Sequence, residues 1–404
     1  MQSSGQSRRV YVTGRGGLVG GRASIGSLWD AVRAGTRLDA VSTPEESLRE
    51  GSRVPAADLK ICSRHQLEAI AVVEQAWAEA GLDARRNRLR GEQSETRRPR
   101  FGCVSGTSLG GLLAMQKEMA AEGNRFSPYS VTRWRANALS CAVSLRFGLG
   151  GCDFSLNAAS ATGAQVAYLA ATMIHLGLAD AMLAVAAESA CEGRLNDAMH
   201  ATGSVAPPDA GGPLSSSRGG MRPVEGAACV LFESQEHLAA RGGRALAEWL
   251  GGETANESHH ILAPDPDATT MEELLRGVRT RLDAPIDWLS LHSTGTARFD
   301  TTEIACVRRI FGERLPWLSA FKRTTGHALG AAGLLDVALL SEGLRAGEVP
   351  VWPEGTDPAL GIATAPGPAP TPRCALQLAQ GMGGVVVVQA FGAVHGVPAH
   401  APRA

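Results

Sequence analysis

Apolar and polar positions along the chain alternate in blocks that predict strands and helices in turn. Four short apolar or β-branched runs in the first part of the sequence predict strands, at Val10–Thr13, Phe101–Ser105, Ala181–Ala187 and Ala227–Glu233. A second series of similar order follows, with strands at Ala245–Leu250 and Asp287–His292 and helices at His237–Arg241, Met271–Arg281 and Thr301–Phe311. Two strand–helix series of this kind predict a duplicated α/β unit.

Glycine and proline mark the expected ends of these elements. Gly14 is predicted to end the first strand, and the GRGGLVGG run that starts there is not a dinucleotide-binding loop, because Val19 stands where the third glycine should be. A helix at Leu67–Leu82 should stop near Gly81.

The C-terminal part is predicted to close with a hairpin. Its strands are Leu376–Gln380 and Val385–Phe391, joined by the GMGG turn, and the Pro- and Gly-rich stretch Pro353–Pro372 should be a surface connection. Residues Gly396–Ala404 are predicted to form a loose tail.

Composition excludes several classes of protein. The chain has 404 residues, of which 44% are hydrophobic and 20% charged, so it is long enough for two domains and should fold. A net charge of -1 gives no global electrostatic case for binding nucleic acid or an anionic membrane. The N-terminus lacks the apolar core of a secretion signal, which predicts a cytoplasmic protein. The eight scattered cysteines form no C-x-x-C pair and indicate neither a disulfide framework nor a metal site.

Two segments could be interpreted as functional, but each has a simpler structural explanation. Residues Phe154–Ala179 contain no Asp, Glu, Lys or Arg, but their Asn, Ser, Thr, Gln and His residues favour a buried helix over a membrane span. Residues Arg85–Arg100 contain seven arginines without periodicity, which is typical of a solvated loop. The alternative is a docking patch for an acidic partner.

Three segments place a reactive side chain at the edge of an element among small residues. In Asn157-Ala-Ala-Ser160-Ala-Thr-Gly163 a strand ends and a helix begins, so Ser160 should meet backbone N–H groups and the positive end of the helix dipole. The second segment is HSTGT, beginning at His292 and followed by two acidic residues, and the third is KRTTGHALGAAG, which contains His327. Each alone is ambiguous, because a serine before a helix is often only an N-cap.

Together these segments resemble the β-ketoacyl synthases, the condensing enzymes of fatty acid and polyketide synthesis, which have the thiolase fold. The resemblance covers nearly the whole chain: VTG at 12–14, SGTSLGG at 105–111, SLNAASATGA at 155–164, EGAA at 225–228, HSTGTARFDTTE at 292–303, KRTTGHALGAAGLLD at 322–336 and GMGG at 381–384. It implies a thiolase-like fold of two α/β halves, 1–240 with the nucleophile and 241–404 with the two histidines. Their mixed five-stranded sheets would enclose helices in α-β-α-β-α order.

The resemblance also implies roles for individual residues. His292 and His327 match the histidines that bind a thioester carbonyl and stabilise the enolate formed from a malonyl group, Lys322 matches the lysine of that network, and Asp336 takes the place of a glutamate. The substrate pocket is expected to include four further residues, Met221, Thr294, Thr296 and Met382. Met221 replaces a bulky aromatic residue of the family.

The nucleophile and the closing turn depart from the family pattern. Ser160 stands at the position of the nucleophilic cysteine, and Cys152 lies too far upstream to replace it. The phenylalanine gate and GFGGTN-like run are replaced by Gln380-Gly-Met-Gly-Gly, in which Gln380 and Gly381 are the candidates for the oxyanion hole and gate. A hydroxyl is too weak an acid for a helix dipole alone to ionise, so Ser160 needs a base, either His292 or His327.

Three functions are compatible with this pattern. The first is a Ser-His-His acyltransferase that takes an acyl group from an acyl carrier protein and passes it on by condensation or to another acceptor. The second is a non-catalytic subunit similar to a chain-length factor, paired with a cysteine-containing ketosynthase. The third keeps only malonyl decarboxylation by the two histidines. Retained histidines and lysine favour the first function, whereas the lost cysteine and gate favour the second.

The resemblance further implies a dimer, homodimeric or heterodimeric with a ketosynthase, and no metal or organic cofactor. The acyl group would arrive on the phosphopantetheine arm of the acidic carrier protein. Candidate docking charges are the arginine-rich loop, Arg64, Arg133 and Arg135.

Overall fold

A computed structural model of the chain describes residues 7–83, 86–89, 97–120, 126–189, 193–362 and 365–394. The strands among these residues are β1 (Val10–Val19), β2 (Phe101–Gly106), β3 (Asp153–Leu156), β4 (Ala181–Glu188), β5 (Gly226–Ser234), β6 (Ala247–Asn256), β7 (Trp288–Ser290), β8 (Trp317–Ser319), β9 (Cys374–Gln380) and β10 (Val385–Gly392). The predicted tail at 396–404 lies outside the described residues.

The α-helices connect these strands. They are α1 (Ile25–Arg33), α2 (Glu45–Ser52), α3 (Ala56–Leu59), α4 (Arg64–Glu79), α5 (Gly110–Ala120), α6 (Ser130–Trp134), α7 (Ala138–Phe147), α8 (Thr162–His175), α9 (Gly193–Ala201), α10 (Gln235–Ala240), α11 (Thr269–Thr280), α12 (Ala297–Phe311), α13 (Lys322–Thr325) and α14 (Ala332–Ala346). Short 3₁₀ turns lie at Leu329–Ala331 and Pro358–Leu360. In the described part of the chain, no helix is both long and apolar enough to span a bilayer.

The sheet repeats one strand order twice. All ten strands are hydrogen-bonded in the order β3-β2-β4-β5-β1-β6-β10-β9-β7-β8. Read outward from the centre, β1-β5-β4-β2-β3 on one side corresponds to β6-β10-β9-β7-β8 on the other. The two halves are joined by a short antiparallel pairing of Val10–Val12 with Ala247–Trp249. The five-stranded sheets that the resemblance implies are therefore continuous here, not separate.

Two helices lie between the halves and contact both of them. Helix α8 packs on β2, β4 and β5 of one half and on β6 and β10 of the other, and α14 packs on β1, β4 and β5 and on β6 and β9. Helices α4 and α7 cover the other face of the first half, and α11 packs on β6 and β10. Successive residues of β4 enter two different apolar clusters, because Met182 faces the central helices and Leu183 faces α4 and α7. Burial on both faces explains why this strand reads as a continuous apolar run.

The glycine-rich run after Thr13 is part of a strand, so the prediction that Gly14 ends the first strand is wrong. Strand β1 continues to Val19, with a bulge between Val12 and Gly14. A β-carbon on Gly14 would lie 2.1 Å from the carbonyl oxygen of Ala76, and one on Gly16 would lie 1.9 Å from that of Val72. These glycines therefore allow α4 to pack directly on the strand.

Other element boundaries differ from prediction by about one turn. Helix α4 begins and ends three residues before the predicted helix at 67–82, where a capping box at Ser63 and Gln66 fixes its start. Helix α12 begins at Ala297 instead of Thr301, and β6 extends to Asn256 because β10 pairs along it. Strand β7 is only three residues long.

We expect Gly16→Ala to destabilise the protein, because the added methyl group must displace α4 from the strand. The free energy of unfolding should fall by about 1–3 kcal/mol, measured from urea denaturation. Gly26→Ala is the matched control: Gly26 is a helical residue of α1 with no neighbouring atom within 4 Å of an added β-carbon, and this change should raise stability by about 0.5–1 kcal/mol. Equal stability of the Gly16→Ala variant and wild type would contradict the role assigned to this glycine.

Candidate functional site

Ser160 lies on a strained turn immediately before α8. The preceding residue, Ala159, has a φ of 48°, in the left-handed region that non-glycine residues rarely adopt. Thr162 holds the turn, since its hydroxyl accepts a hydrogen bond from the N–H of Ala158 (2.8 Å) and donates one to the carbonyl of Ala159 (2.6 Å). Ser160 itself is 9% exposed. The turn therefore presents the serine at the N-terminal end of a buried helix, as the sequence predicts.

The loop that carries His292 is fastened by the acidic residues of α12. Glu303 accepts hydrogen bonds from the N–H groups of His292 (2.5 Å) and Ser293 (2.8 Å), and Asp300 accepts one from Gly295 (3.1 Å). Ser293 has a φ of 34°, so this loop too is held in an unusual conformation. Burial raises the pKa of Glu303 to about 7. The two acids after HSTGT thus position the loop.

The hydrogen bonds of His327 define which of its nitrogens carries a proton. Its Nδ1 accepts a hydrogen bond from the N–H of Leu329 (3.0 Å), so in the neutral ring the proton is on Nε2. That Nε2 is buried and has no hydrogen-bond partner among the described residues. Leu329 itself has a φ of 43°, in the left-handed region. His327 therefore presents an unused N–H donor.

The two histidines lie together and are neutral. Their ring centroids are 6.0 Å apart and the rings are nearly perpendicular. Burial lowers the pKa of His327 to about 3 and holds the pKa of His292 well below its ordinary value, and the positive charge of Lys322 lowers both pKa values further. Neutral imidazoles in a buried site can donate hydrogen bonds or accept protons without adding charge.

Lys322 is paired with Asp336 behind the histidines. The Lys322 Nζ lies 2.6 Å from the Asp336 Oδ2, and both side chains are about 2% exposed. Burial raises the pKa of Asp336, and the Lys322 charge opposes this. The aspartate therefore takes the partner role that the resemblance implies for a glutamate.

A carboxylate that was not predicted from the sequence joins these loops. Glu188, at the end of β4, accepts hydrogen bonds from the N–H groups of Ser108 (2.7 Å), Leu109 (2.9 Å), Gly110 (2.9 Å) and Gly330 (3.1 Å). It thereby connects the SGTSLGG loop to the loop after His327. The signal in the sequence is a lone acid directly after the apolar run of β4.

The closing turn packs on the serine turn. A β-carbon on Gly381 would lie 2.3 Å from the carbonyl oxygen of Ala158, so only glycine fits there. The N–H of Gly381 donates to the carbonyl of Val385 (2.8 Å) and is therefore already occupied. The side chain of Gln380 is buried, with Nε2 3.3 Å from Glu257 and Oε1 without a partner among the described residues. The contact with Glu257 was also not predicted.

Two cavities adjoin these segments. One of about 460 Å³ is lined by Thr296, and another of about 280 Å³ is lined by Thr294 together with Lys322 and His327. Met221 is buried and Met382 half-buried, and neither lines these two cavities. The structure therefore brings the two threonines of HSTGT to different cavities.

The proposed docking arginines differ in their availability. Arg64 is paired with Glu225 (2.5 Å) and Arg133 with Glu118 (2.5 Å), whereas Arg135 is exposed. In the arginine-rich segment, residues 85 and 90–96 lie outside the described residues. Four of the described arginines are paired with acids of the same chain: Arg86 with Glu74, Arg88 with Asp58, Arg98 with Asp83 and Arg100 with Asp180. These pairs tie the segment to the body of the protein.

The described residues contain no group of three or more His, Cys, Asp or Glu side chains that could hold a metal ion.

Comparisons with known proteins agree with this architecture. The family profile for the β-ketoacyl synthase N-terminal domain matches residues 40–237, and that for the C-terminal domain matches residues 246–354. The 3-oxoacyl-[acyl-carrier-protein] synthase 2 of Coxiella burnetii is 30% identical over 373 residues, which are 85% of this chain and 88% of the relative.

Solved structures show the same fold. The ishigamide ketosynthase/chain length factor superposes with a TM-score of 0.81 at 23% identity, covering 96% of this chain and 100% of that one. A type II polyketide synthase ketosynthase in complex with its acyl-carrier protein gives a TM-score of 0.81 at 21% identity, with the same coverage. The fold is therefore thiolase-like, and the chain belongs to the β-ketoacyl synthase family, the condensing enzymes of fatty acid and polyketide biosynthesis.

Proposed function

We propose that the protein is an acyltransferase that takes an acyl group from an acyl carrier protein onto Ser160. The observation that carries this proposal is the contact of the serine turn with the His327 segment. A β-carbon on Gly163, three residues after Ser160, would lie 2.5 Å from the N–H nitrogen of Leu334 and 3.0 Å from the carbonyl oxygen of Gly330, so α8 begins directly against the segment that follows His327. Two buried, neutral histidines whose pKa values are strongly perturbed are typical of a functional site, and one of them belongs to the segment that α8 contacts.

The two histidines would have different tasks. The Nε2–H of His327 suits hydrogen bonding to the thioester carbonyl oxygen, where negative charge develops. Because that nitrogen carries the proton, His327 cannot also accept one from Ser160, which leaves His292 as the candidate base. Attack by the Ser160 oxygen forms a C–O bond and breaks the C–S bond. The hydroxyl proton passes through His292 to the departing thiol.

Serine changes which acceptor is favoured afterwards. The resulting oxygen ester is a weaker electrophile toward a carbon nucleophile than the thioester of a cysteine enzyme. Transfer to an alcohol, an amine or water therefore competes better with condensation. The function that the site supports best is acyl transfer from the carrier protein to Ser160, followed by condensation or by passage of the acyl group to such an acceptor.

The carrier protein and the second subunit are parts of the proposal. The carrier is supported by the family relationship and by the ketosynthase solved in complex with its acyl-carrier protein. Exposed Arg135 offers a docking charge.

A division into halves 1–240 and 241–404 agrees with the repeated strand order.

A second candidate function is a non-catalytic subunit similar to a chain-length factor. The observation that favours it is the serine at the position of the family's nucleophilic cysteine. A ketosynthase/chain length factor structure also shares the fold.

Intact-protein mass spectrometry with acyl carrier proteins of different chain length tests the first function. Wild type should gain the mass of one acyl group, and Ser160→Ala should gain none. Neutral hydroxylamine should remove the acyl group from a Ser160→Cys variant but leave the wild-type adduct, because thioesters are cleaved much faster than oxygen esters. If Ser160→Cys is acylated and wild type is not, the serine protein is the non-catalytic subunit.

The low pKa of His327 in the folded protein should make the free energy of unfolding depend on pH. In the folded protein its pKa is about 3, against an ordinary value of 6.5, so only the unfolded chain binds a proton between these values and stability falls as pH falls through this window. In His327→Gln the slope of unfolding free energy against pH should be smaller by about 1.4 kcal/mol per pH unit near pH 5. His200→Gln, at an exposed position, should keep the wild-type slope. An unchanged slope in His327→Gln would show that this ring is not held neutral.

The free edge of β3 predicts where a second subunit binds. Strand β3 pairs only with β2 among the described strands, and Phe154 on it is 39% exposed. Wild type should be a dimer by light scattering, or should form one when a cysteine-containing ketosynthase is added. Phe154→Lys should shift either pair toward monomers, whereas Leu176→Lys, at a residue that is 63% exposed after α8, should not. Dimers of undiminished stability in Phe154→Lys would exclude this edge.

A further inference from the structure

Two buried carboxyl groups lie at one guanidinium group near the start of α4. The Arg64 Nε lies 3.0 Å from the Glu68 Oε1 and 2.8 Å from the Glu225 Oε2, and the Arg64 Nη2 lies 2.5 Å from the Glu225 Oε1. Glu68 is 0% exposed and Glu225 is 5% exposed. One positive charge therefore faces two acidic side chains that are shielded from water.

The surrounding charges do not compensate a second carboxylate at Arg64. Among the described residues, the titratable groups around the start of α4 are Glu45 of α2, Cys62 and His65 beside Arg64, Lys117 and Glu118 of α5, Arg133 of α6 and Glu188 of β4. Farther along α4, Arg15 of β1 and Arg146 of α7 act on Glu79 and Glu74. Arg133 is paired with Glu118 (2.5 Å), and His65 is neutral because burial lowers its pKa to about 4. The groups near Arg64 therefore contain more acids than cations.

The hydrogen bonds assign a proton to Glu68. Glu225 accepts two hydrogen bonds from Arg64 and one from the N–H of Thr43 (3.0 Å), which suits a carboxylate. Glu68 accepts one from the hydroxyl of Ser189 (3.3 Å), and its Oε1 accepts none from the described residues. A protonated Glu68 can donate to Glu225, with which it is in hydrogen-bond contact. Burial and the negative charge of Glu225 raise the pKa of Glu68 well above its ordinary value, so Glu68 keeps its proton at pH values where an exposed glutamate has lost it.

The segment that ends at Glu225 also holds His327. The N–H of His327 donates to the carbonyl of Arg222 (2.8 Å), and the N–H of Val224 donates to the carbonyl of His327 (3.0 Å). Glu225 directly follows this segment. Its bonds to Arg64 therefore fix the end of the segment that pairs with the histidine.

Glu68 is connected to the loop after His327 as well. Its partner Ser189 directly follows Glu188, whose carboxylate accepts a hydrogen bond from the N–H of Gly330 (3.1 Å) in that loop. The two carboxyl groups at Arg64 thus lie next to two separate supports of His327.

We propose that a protonated Glu68, together with Arg64 and Glu225, is a proton-dependent anchor that positions His327. Loss of the proton to solvent would leave two carboxylates at one guanidinium group in a buried site, where like charges repel strongly. Glu68 and Glu225 would then separate, and the segment that pairs with His327 would lose its fixed end. Glu68 is thus a positioning residue, because it acts on His327 through this segment. Its effect on acyl transfer rests on the proposed acylation of Ser160, whereas the anchor itself does not.

Glu68→Gln tests the anchor, because an amide can still donate to Glu225 but cannot ionise. Above the ordinary glutamate pKa of 4.5, the unfolded chain loses the Glu68 proton while the folded protein keeps it, so wild type should lose stability as pH rises. From about pH 5.5 until Glu68 ionises in the folded protein, the unfolding equilibrium constant of wild type should rise about tenfold per pH unit relative to that of Glu68→Gln. Urea denaturation measures this constant. Glu273→Gln, at an exposed position of α11, is the control that should keep the wild-type dependence.

The position of His327 can be followed without acyl transfer. In NMR spectra of histidine-labelled wild type, the ring signal of His327, assigned with His327→Gln, should move at the pH where the infrared band of a protonated carboxyl group is lost. Glu68→Gln should show neither change. Ser189→Ala removes the hydrogen bond that favours the ionised form of Glu68, so in this variant both changes should move to higher pH. Acylation of Ser160 should slow over the same pH range in wild type and not in Glu68→Gln.

The outcomes separate this inference from the proposed function. Equal pH dependence of unfolding in wild type and Glu68→Gln would refute the proton on Glu68. A His327 signal that moves equally in both proteins would overturn the positioning role. If both signatures are present and wild type is never acylated, the anchor is supported and the acylation of Ser160 is contradicted. If Glu68→Gln does not fold, an infrared band that titrates at the same pH in Ser189→Ala and wild type would overturn the inference.

Discussion

The close contact between helices α8 and α14 is the constraint on which the site depends. A β-carbon on Gly163 would lie 2.5 Å from the backbone of α14, and one on Gly333 would lie 2.7 Å from the N–H nitrogen of Ala164 in α8. Each helix thus uses a glycine to approach the other's backbone. Because Ser160 and His327 stand just before these helices, the packing that closes the core also brings the two reactive segments together.

Buried carboxylates hold the reactive loops in place around this contact. Glu303 accepts N–H groups of the loop that carries His292, Glu188 accepts that of Gly330 in the loop after His327, and Asp336 pairs with Lys322. Burying a carboxylate costs free energy unless its oxygens accept hydrogen bonds. Loop conformations that break these hydrogen bonds are therefore unfavourable, and the acids restrict the loops to few conformations. At the serine turn, the hydroxyl of Thr162 supplies the restraint that holds the left-handed backbone of Ala159.

A serine at the position of the nucleophile would change which acceptor the acyl group meets. An oxygen ester at Ser160 would be less suited to attack by a carbanion than a thioester is. Passage of the acyl group to an alcohol, an amine or water would therefore compete better with condensation.

The sequence by itself determined the features that depend on local pattern. Apolar runs predicted β2, β4, β5 and the closing hairpin, and the glycines and histidines of the three motifs identified Ser160, His292 and His327 as candidates. Tertiary structure decided what depends on residues distant in sequence. It showed that Gly16 packs on α4, that Glu188 joins two loops, and that two buried carboxyl groups meet at Arg64. The physical reason is that the spacing of apolar residues along the chain shows which face of a helix or strand is buried. Which charges lie near each other, and which backbones approach closely, depends instead on which helices and strands pack together.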